Sequence, residues 1–437
     1  MMRIRKIGSW ILIGLISLVA IPPAAIACTT AVISGSATID GRPLLWKNRD
    51  APHRNNQVVY LTGGRYACTA VVNAGQRKSI WMGVNQVGFC IENSVTRDLA
   101  EQGAKGLGNG GFMLEALRSC ATVEEFERLL VRTNGSRATN ANFGVIDAEG
   151  GAVLFETSPS GFQKFDANDP QIAPQGYVVR SNFSFTGSPE LALQREQEIA
   201  ATYSGGRYLR GCRLIDQAIS DGGPSLAYLL RHNTRDYADS DGNPILGSIN
   251  GEFGDLPPQI DTSQTISRRT SVSAAVFHGV RPGEDPLLTT MWVMLGEPAF
   301  TIAVPCWAGT ASVADPLQGD STSPLCDAAK SLRDGFYVAQ NSVSEDSFVN
   351  DSTANDEAEP SAAQPAPPKR LNTSALPTIW AETLPTEDRY LATAADALDR
   401  WRDDGFDSAE AYRLHQQMAT DALEQLTRLA ETLTATP

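Results

Sequence analysis

The sequence predicts an α+β fold in which β-sheets form layers and helices pack on their outer faces. Short β-rich segments fill residues 29–92, helical patterns follow, and further strand patterns begin at residue 142. Blocks of strands alternating with blocks of helices are typical of layered sheets covered by helices. Hydrophobic residues form 42% of the 437-residue chain and charged residues 20%, which is ordinary for a globular protein with one large domain and an appendage.

The first 27 residues have the pattern of a secretory signal peptide. Three basic residues precede an apolar run from Trp10 to Ile21, and Ala25-x-Ala27 is the small-residue pattern that signal peptidase recognises. Cleavage after Ala27 would leave 410 residues beginning at Cys28 and change the formal net charge from −14 to −17. We therefore expect a periplasmic or secreted protein.

The acidity of the chain excludes some classes of partner. Binding of nucleic acids or anionic membranes needs basic patches, which this composition does not favour. After the signal segment, no apolar run approaches the ~18 residues that a membrane-spanning helix requires. We expect no nucleic-acid partner and no membrane span in the mature form.

An N-terminal cysteine carries two groups that a hydrolase needs. Its thiol can act as a nucleophile, and its α-amine, with an ordinary pKa near ~8, can accept the thiol proton. Lipidation is the first alternative, because a cysteine after a signal peptide can become a thioether with an acylated amine. The residues before Cys28, Ala25 and Ile26, depart from the usual lipoprotein pattern, which has Leu and then a small residue.

A structural disulfide at Cys28 is the second alternative. The chain has seven cysteines, so six can pair in an exported protein and one is left over as a candidate reactive thiol. We expect Cys28 to be that one. Cys306 and Cys326, separated by a loop containing Gly319 and Pro324, are expected to pair with each other. Up to two more bridges would join the remaining cysteines, Cys68, Cys90, Cys120 and Cys212.

The segment after Cys28 has the pattern of a β-hairpin. Residues 29–34 are β-rich, Asp40-Gly41 is a turn signal, and residues 44–46 resume a strand. The second strand delivers Lys47, Asn48, Arg49 and Asp50 at its end. We therefore expect Cys28 and Asp50 to meet at one end of the hairpin.

The rest of the chain reads as alternating strands and helices. A capping box at residues 122–125 predicts the start of a helix that follows an earlier one at 112–118. The segment 190–231 is predicted to be mainly helical. Further predicted strands are 57–60, 68–73, 80–83, 88–91, 142–147, 152–156, 177–181, 271–277 and 290–295.

A change of composition predicts a boundary after residue 340. Residues 341–368 are rich in Ser, Asp, Glu, Ala, Asn and Pro, so we expect a disordered linker over 341–371 between a catalytic domain (28–340) and a C-terminal helical segment (372–437). Asp407 and Glu410 would cap a helix whose apolar stripe docks in cis. Deletion from residue 341 onward is expected to leave a folded core. The stripe is Leu414, Met418, Ala422, Leu426, Leu429 and Leu433.

Four motifs occur in order: Cys28-Thr29-Thr30, Asp40-Gly41, Asn48-Arg49-Asp50 and Trp81-x-Gly83-Val84-Asn85-x-x-Gly88-Phe89-x-Ile91-x-Asn93. As a set, they resemble the linear-amide C–N hydrolases of the Ntn hydrolase superfamily. This group includes choloylglycine hydrolases, penicillin V acylases, acyl-CoA:6-aminopenicillanic acid acyltransferase-like proteins and related dipeptidases. The resemblance spans residue 28 to about residue 298 and implies a four-layer αββα sandwich.

The resemblance also implies roles for individual residues. Cys28 matches the nucleophile, and Asp50 matches the carboxylate that holds the α-amine and positions the thiol; the alternative for Asp50 is a turn aspartate. Asn93 matches an oxyanion-hole amide, with a strand-end cap as its alternative. Asn182 matches a second asparagine near the nucleophile, although it also begins a glycosylation triplet that ends at Ser184.

The choice of cations stays open in two places. Choloylglycine hydrolases carry an arginine where this chain has Lys47, and Arg49 lies beside Asp50, so either cation could lower the pKa of the thiol. The late arginine of the group matches the doublet Arg268-Arg269, of which we prefer Arg269.

The implied activity is hydrolysis of a small-molecule amide or short peptide through a thioester, without a cofactor or metal. An acyltransferase would use a second amine in place of water, and a lipidated chain of the same fold would be a binding module. Oligomeric state is left open. The four histidines, His53, His232, His278 and His415, lack zinc-ligand spacing, and the acidic loop at residues 239–243 fails the EF-hand pattern.

Overall fold

The computed structural model describes residues 27–243, 257–339 and 369–434. The predicted signal segment, apart from Ala27, and the predicted linker up to residue 368 therefore lie outside the described residues. Both stay predictions.

The strands, numbered in chain order, are β1 (Cys28–Ile33), β2 (Leu44–Asp50), β3 (Asn56–Leu61), β4 (Cys68–Asn73), β5 (Met82–Asn85), β6 (Cys90–Val95), β7 (Ala141–Ile146), β8 (Ala152–Thr157), β9 (Phe162–Asp166), β10 (Tyr177–Arg180), β11 (Gln259–Ile260), β12 (Ser271–His278), β13 (Thr290–Leu295), β14 (Val304–Cys306), β15 (Tyr337–Ala339) and β16 (Lys369–Asn372).

The α-helices are α1 (Asn109–Ser119), α2 (Val123–Thr133), α3 (Glu196–Ala200), α4 (Gly205–Ser220), α5 (Leu226–Tyr228), α6 (Pro324–Asp334), α7 (Leu376–Asp404) and α8 (Ser408–Thr434). A π-helix at Leu229–Asn233 follows α5 directly. Short 3₁₀ helices lie at Pro189–Leu193, Pro286–Leu288, Pro298–Phe300, Ala308–Thr310 and Asp315–Leu317.

The strands form two large antiparallel sheets and one small one. The six-stranded sheet has the order β10-β1-β2-β12-β13-β14, and the seven-stranded sheet has the order β3-β4-β5-β6-β7-β8-β9. A three-stranded sheet, β11-β16-β15, joins the C-terminal segment to the rest. The predicted hairpin is confirmed, since β1 pairs with β2 and Cys28 lies opposite Arg49.

The two large sheets face each other across a shared hydrophobic core. Val32 and Leu45 of the six-stranded sheet lie in the same buried cluster as Val84 and Leu154 of the seven-stranded sheet. Alternate residues of β1 and β2 therefore point either into this inner layer or outward, because successive strand side chains lie on opposite faces. The side chains of Lys47 and Arg49 in β2 point into the inner layer, and those of Trp46 and Asn48 lie on the outer face of the sheet.

Helices cover the outer face of each sheet, so the predicted αββα sandwich is confirmed. Helices α1 and α2 pack on the seven-stranded sheet, where Phe112 and Phe126 meet Phe143 and Phe155. Helix α4 covers β1 and β10 so closely that a Cβ at Gly211 would lie 3.0 Å from Val179 Cγ1. Half of the predicted capping box is present: Thr122 Oγ1 accepts the N–H of Glu125 at 3.2 Å, but the Glu125 carboxylate accepts the N–H of Ala121 instead of that of Thr122.

The predicted elements differ from the structure mainly at their boundaries. The strand expected at 80–83 is β5 (Met82–Asn85), and the helical segment expected at 190–231 is divided into α3, α4, α5 and the π-helix. Strands β9, β11, β14, β15 and β16 and helices α6 and α7 are not predicted individually by the sequence. Residues 369–371 belong to β16, although the linker was predicted to extend to residue 371.

The C-terminal segment is part of the main core. Strand β16 pairs with β11 and β15, and α8 packs along α6. Glu387 of α7 forms a buried salt bridge with Arg235, and Trp401 packs edge-on against Trp307 at 5.5 Å. This packing is contrary to the expectation that deletion from residue 341 leaves a folded core.

The disulfide prediction is wrong: all seven cysteines are free thiols, and Cys306 and Cys326 do not pair. The Cys306 thiol lies 3.9 Å from the Val304 carbonyl in β14, whereas the Cys326 thiol donates to the Arg54 carbonyl at 3.3 Å. A chain of this size buries enough apolar surface to be stable without covalent bridges. Within the described ranges, no helix is long and apolar enough to cross a membrane.

Candidate active site

Cys28 begins β1 and is buried at the end of the inner layer, where 2% of its surface is exposed. The Asp50 backbone N–H donates to the Ala27 carbonyl at 2.7 Å, which extends the β1–β2 pairing by one residue. The Cys28 backbone N–H donates to Asn182 Oδ1, also at 2.7 Å. The backbone of Cys28 is therefore held in a defined position.

Asn182, which follows β10, is itself fixed on three sides. Its Nδ2 donates to the Val95 carbonyl at 2.8 Å, and its backbone N–H donates to Ser204 Oγ at 3.0 Å. Its Oδ1 also accepts from Arg207 Nη2 at 3.0 Å. The structure thus places the predicted second asparagine directly on the nitrogen of Cys28.

Arg207 is a site residue that the sequence analysis missed. It is fully buried on α4 and donates to the Cys28 carbonyl at 2.5 Å and to Thr29 Oγ1 at 2.9 Å, besides its bond to Asn182. Burial lowers the pKa of its guanidinium to about 10, and the nearby Arg268 acts in the same direction. A signal existed, because Arg207 stands on the helical stripe completed by Gly211, Leu214, Ile215 and Ala218.

Asp50 is the last residue of β2, and both of its carboxylate oxygens accept hydrogen bonds. Arg268 Nε donates to Oδ2 at 2.7 Å, and Ser271 Oγ donates to Oδ1 at 2.6 Å. In the chain that still carries Ala27, the acceptor on the Cys28 backbone N–H is Asn182; the role expected of Asp50 at a free α-amine stays a prediction. Burial is the main cause that raises the pKa of the Cys28 thiol; the charge of Asp50 adds to it, whereas the backbone hydrogen bond from Asp50 lowers the pKa.

The prediction that Arg269, rather than Arg268, lies in the site is wrong. Arg269 is exposed, and its backbone N–H donates to Thr262 Oγ1 at 3.2 Å. Arg268, the neighbour in the doublet, forms the ion pair with Asp50. Adjacent residues before a strand point in different directions, so only one of the two can face the end of β2.

Lys47 and Arg49 both enter the inner layer but have different partners. Lys47 Nζ donates to the Trp81 carbonyl and to Asn93 Oδ1, each at 2.8 Å. Arg49 lies 4.5 Å from the centre of the Trp81 ring and donates to Asn56 and Asn73. Burial lowers the pKa of Lys47 and lowers that of Arg49 to about 10.

Several effects shift the pKa of the Cys28 thiol in opposite directions. Burial is the largest of these and raises its pKa above the ordinary value. Lys47 opposes this shift, with a smaller contribution from Arg49, because a nearby cation stabilises the thiolate. Lys47 is therefore the stronger of the two candidate cations at the nucleophile.

Asn93 lies in β6 and offers an unused hydrogen-bond donor. Its Oδ1 is held by Lys47, whereas its buried Nδ2 has no hydrogen-bond partner among the described residues. A buried amide without a partner costs roughly 1–3 kcal/mol and calls for an explanation. Its chemistry suits binding of an oxyanion.

Two of the four histidines have hydrogen-bond partners outside this group of residues. His278 bonds Asp40 at 2.7 Å, and His415 bonds the Pro305 carbonyl at 2.7 Å. In the described ranges, no group of His, Cys, Asp or Glu could hold a metal ion. Asp239 accepts the backbone N–H groups of Asp241 and Asn243, as in an ordinary polar turn.

Comparison with solved structures finds proteins with a similar arrangement at low sequence identity. A mutant of the conjugated bile acid hydrolase from Clostridium perfringens is 12% identical over 61% of this chain and 89% of that chain, with a TM-score of 0.40. Penicillin V acylase from Agrobacterium tumefaciens is 14% identical over 64% of this chain and 85% of that chain, with a TM-score of 0.38.

A third solved structure is the Caenorhabditis elegans orthologue of N-acylethanolamine-hydrolyzing acid amidase. It is 12% identical over 59% of this chain and 93% of that chain, with a TM-score of 0.32. No protein-family model matches the chain, and no curated protein matches it significantly.

Proposed function

We propose that this chain is an exported hydrolase that uses an N-terminal cysteine to cleave the C–N bond of a linear amide through a thioester. The substrate would be a small acylated amine or a short peptide. The arrangement around Cys28 carries the proposal. Asn182 accepts the Cys28 N–H, and Lys47 lowers the pKa of the thiol against the effect of burial. Lys47 also donates to Asn93 Oδ1, while Asn93 Nδ2 has no partner among the described residues. The ordered motifs that resemble the linear-amide hydrolases support the same activity.

Removal of residues 1–27 would turn the Cys28 nitrogen into an amine. Asn182 Oδ1 accepts one of its protons, which leaves the nitrogen lone pair free to take the proton of the thiol. Because burial raises the pKa of this thiol, a base next to it is needed to form the thiolate at neutral pH. The negative charge of Asp50 would then stabilise the ammonium group.

The thiolate attacks the carbonyl carbon of the amide, and the carbonyl oxygen becomes an oxyanion. Asn93 Nδ2 is the donor for this oxygen, a contribution of about 3–4 kcal/mol in comparable sites. The ammonium then protonates the leaving nitrogen, the C–N bond breaks, and the acyl group remains on sulfur. Water, deprotonated by the amine, attacks the thioester and regenerates the thiol.

The N-terminal position of Cys28 can be tested without changing its side chain. One uncleavable residue added before Cys28 would convert the amine into an amide that cannot accept a proton. We expect a rate loss of roughly 100-fold or more, as for removal of a general base. The measurement is turnover of a panel of penicillin V, conjugated bile salts, N-acyl homoserine lactones and dipeptides, with Cys28→Ala as the inactive control.

Intact mass decides which chain is being assayed. A free Cys28 is required for the proposed reaction, whereas a diacylglycerol thioether and an acylated amine would identify a lipidated binding protein. If the extended chain, verified by mass, hydrolyses its amide at the parent rate, the amine is not the base and the proposal fails.

A further inference from the structure

Glu92 is a buried carboxyl group that the proposed reaction does not use. It lies in β6 next to Asn93, is 0% exposed and points into the inner layer between the two large sheets. Thr30 of β1 hydrogen-bonds Glu92 Oε1, and the backbone N–H of Gly144 also contacts the carboxyl group. Glu92 Oε2 has no partner among the described residues.

The neighbouring strand leaves room for this carboxyl group. Gly144 of β7 lies directly opposite Glu92, and a Cβ at that position would overlap Glu92 Oε1. Any larger residue at Gly144 would force the carboxyl group out of its position. The glycine at position 144 therefore lets the seven-stranded sheet accommodate the Glu92 carboxyl group in its inner face.

Thr30 can serve Glu92 in both of its protonation states. Its hydroxyl lies within hydrogen-bond distance of two acceptors, the Trp46 carbonyl at 2.9 Å and Glu92 Oε1. When Glu92 is ionised, the hydroxyl proton can bond the carboxylate. When Glu92 is protonated, the acid can donate to Thr30 while the hydroxyl bonds Trp46. Burial raises the pKa of Glu92 to about 7, against the opposing effect of Lys47.

Lys47 is the cation that faces this carboxyl group. Thr30 pairs with Lys47 across β1 and β2, and Lys47 Nζ is bonded only to neutral oxygens, those of Trp81 and Asn93, in the described part of the chain. Glu92, Asp50 and the Cys28 thiolate all favour the charged form of Lys47, and Arg49 disfavours it. Asp50 is already paired with Arg268, so among the described carboxylates that act on Lys47, Glu92 is the one without an ion pair of its own.

We propose that Glu92 is a positioning residue that, when ionised, keeps Lys47 charged, so that Lys47 continues to stabilise the thiolate of Cys28. This inference deepens the proposed function, since it assumes that Cys28 is the nucleophile. Loss of the Glu92 charge would let burial drive Lys47 toward its neutral form. The thiolate would then lose the largest stabilising effect of a cation, and the reactivity of Cys28 would fall on the acid side of neutrality.

The test measures thiol reactivity rather than turnover. The rate of Cys28 alkylation by iodoacetamide is followed between pH 5 and pH 10 by mass spectrometry of the peptide that carries Cys28. Both the full chain and the chain beginning at Cys28 are used. We expect Glu92→Gln to raise the alkylation midpoint by about one pH unit, which makes alkylation at pH 7 about tenfold slower.

Two further variants show whether the effect passes through Lys47. Lys47→Met should slow alkylation at least as much, and Glu92→Gln in the Lys47→Met background should have no further effect. Glu92→Asp, which keeps the charge, should restore most of the parental profile. If Glu92→Gln does not fold, Thr30→Val removes the shared hydroxyl instead and should shift the midpoint in the same direction.

An unchanged or lower alkylation midpoint in Glu92→Gln overturns the inference, as does an equal shift in the Lys47→Met background. The result is independent of the proposed activity. A shifted profile in a chain that hydrolyses none of the amides would support the link between Glu92 and Lys47 while refuting the function. Hydrolysis of an amide together with an unshifted alkylation profile would support the function and refute the link between Glu92 and Lys47.

Discussion

Arg207 donates hydrogen bonds to three oxygens that define the position of the nucleophile. They are the carbonyl of Cys28, the hydroxyl of Thr29 and the side-chain oxygen of Asn182. Because Asn182 also accepts the Cys28 N–H, the guanidinium and the asparagine hold the two sides of the same residue. A planar group with several fixed donors is suited to this task, whereas a lysine offers a single point of charge.

We predict that Arg207→Met lowers kcat for the amide substrate by at least about tenfold, because a misplaced nucleophile loses its alignment with the carbonyl carbon. KM should change less. Arg213→Met is the matched control, since Arg213 lies on the same helix with a partly exposed side chain that pairs with Glu196 and Asp241. Steady-state kinetics and thermal melting of both variants provide the measurement. Equal kcat values in two folded variants would contradict the positioning role.

At the scale of one element, α8 is held against the sheet by a buried histidine. His415 is 1% exposed and donates Nδ1–H to the Pro305 carbonyl of β14 at 2.7 Å. Burial lowers the pKa of His415 to about 4, so the folded protein keeps the ring neutral at a pH where the unfolded chain protonates it. Protonation therefore favours the unfolded chain.

We predict that the free energy of unfolding falls as the pH drops from about 6.5 toward 4. The lowered folded pKa means that the unfolded state binds more protons in this window, and His415 alone would account for about 3 kcal/mol. His415→Asn retains a donor for Pro305 but cannot titrate. Urea unfolding of both proteins at several pH values should give a flatter profile for the variant. Parallel profiles would show that His415 does not cause the slope.

For the molecule as a whole, the C-terminal segment completes the core rather than being attached to it. Strand β16 is the middle strand of the small sheet, and α7 supplies the carboxylate of Glu387 to Arg235, whose side chains are each 3% exposed. Removing Glu387 would leave a buried guanidinium without its counter-ion, which typically costs about 3–5 kcal/mol. Removing α8 would expose the apolar face of α6.

We predict that a chain ending at residue 340 is insoluble or unfolded, because apolar surface and a buried cation lose their partners together. The measurement is the soluble yield and the cooperativity of thermal unfolding. Co-expression of residues 369–437 as a separate chain is the control and should restore solubility by supplying β16, α7 and α8. A soluble, cooperatively folding 1–340 chain would show that the main core is complete without them.

Local pattern in the sequence determined much of this protein. The alternation of residues around Asp40-Gly41 predicted the β1–β2 hairpin, and the hairpin brought Cys28 opposite Arg49 and next to Asp50. The capping box at Thr122 marked the start of α2. These features depend on neighbours within a few residues, so they can be read without knowledge of the fold. The last of the ordered motifs ends at Asn93, and the resemblance that the motifs carry implied a role for Asn182.

The tertiary structure alone decided which distant groups meet. Arg268 and Arg269 are chemically identical neighbours, and only the direction of each side chain decides that Arg268 forms the ion pair with Asp50. Arg207 stands 179 residues from Cys28, and no local pattern specifies that contact. The spacing of cysteines does not encode their distance in space, so Cys306 and Cys326 remain free thiols within the core. Contacts between remote segments depend on how sheets and helices pack, which local periodicity does not determine.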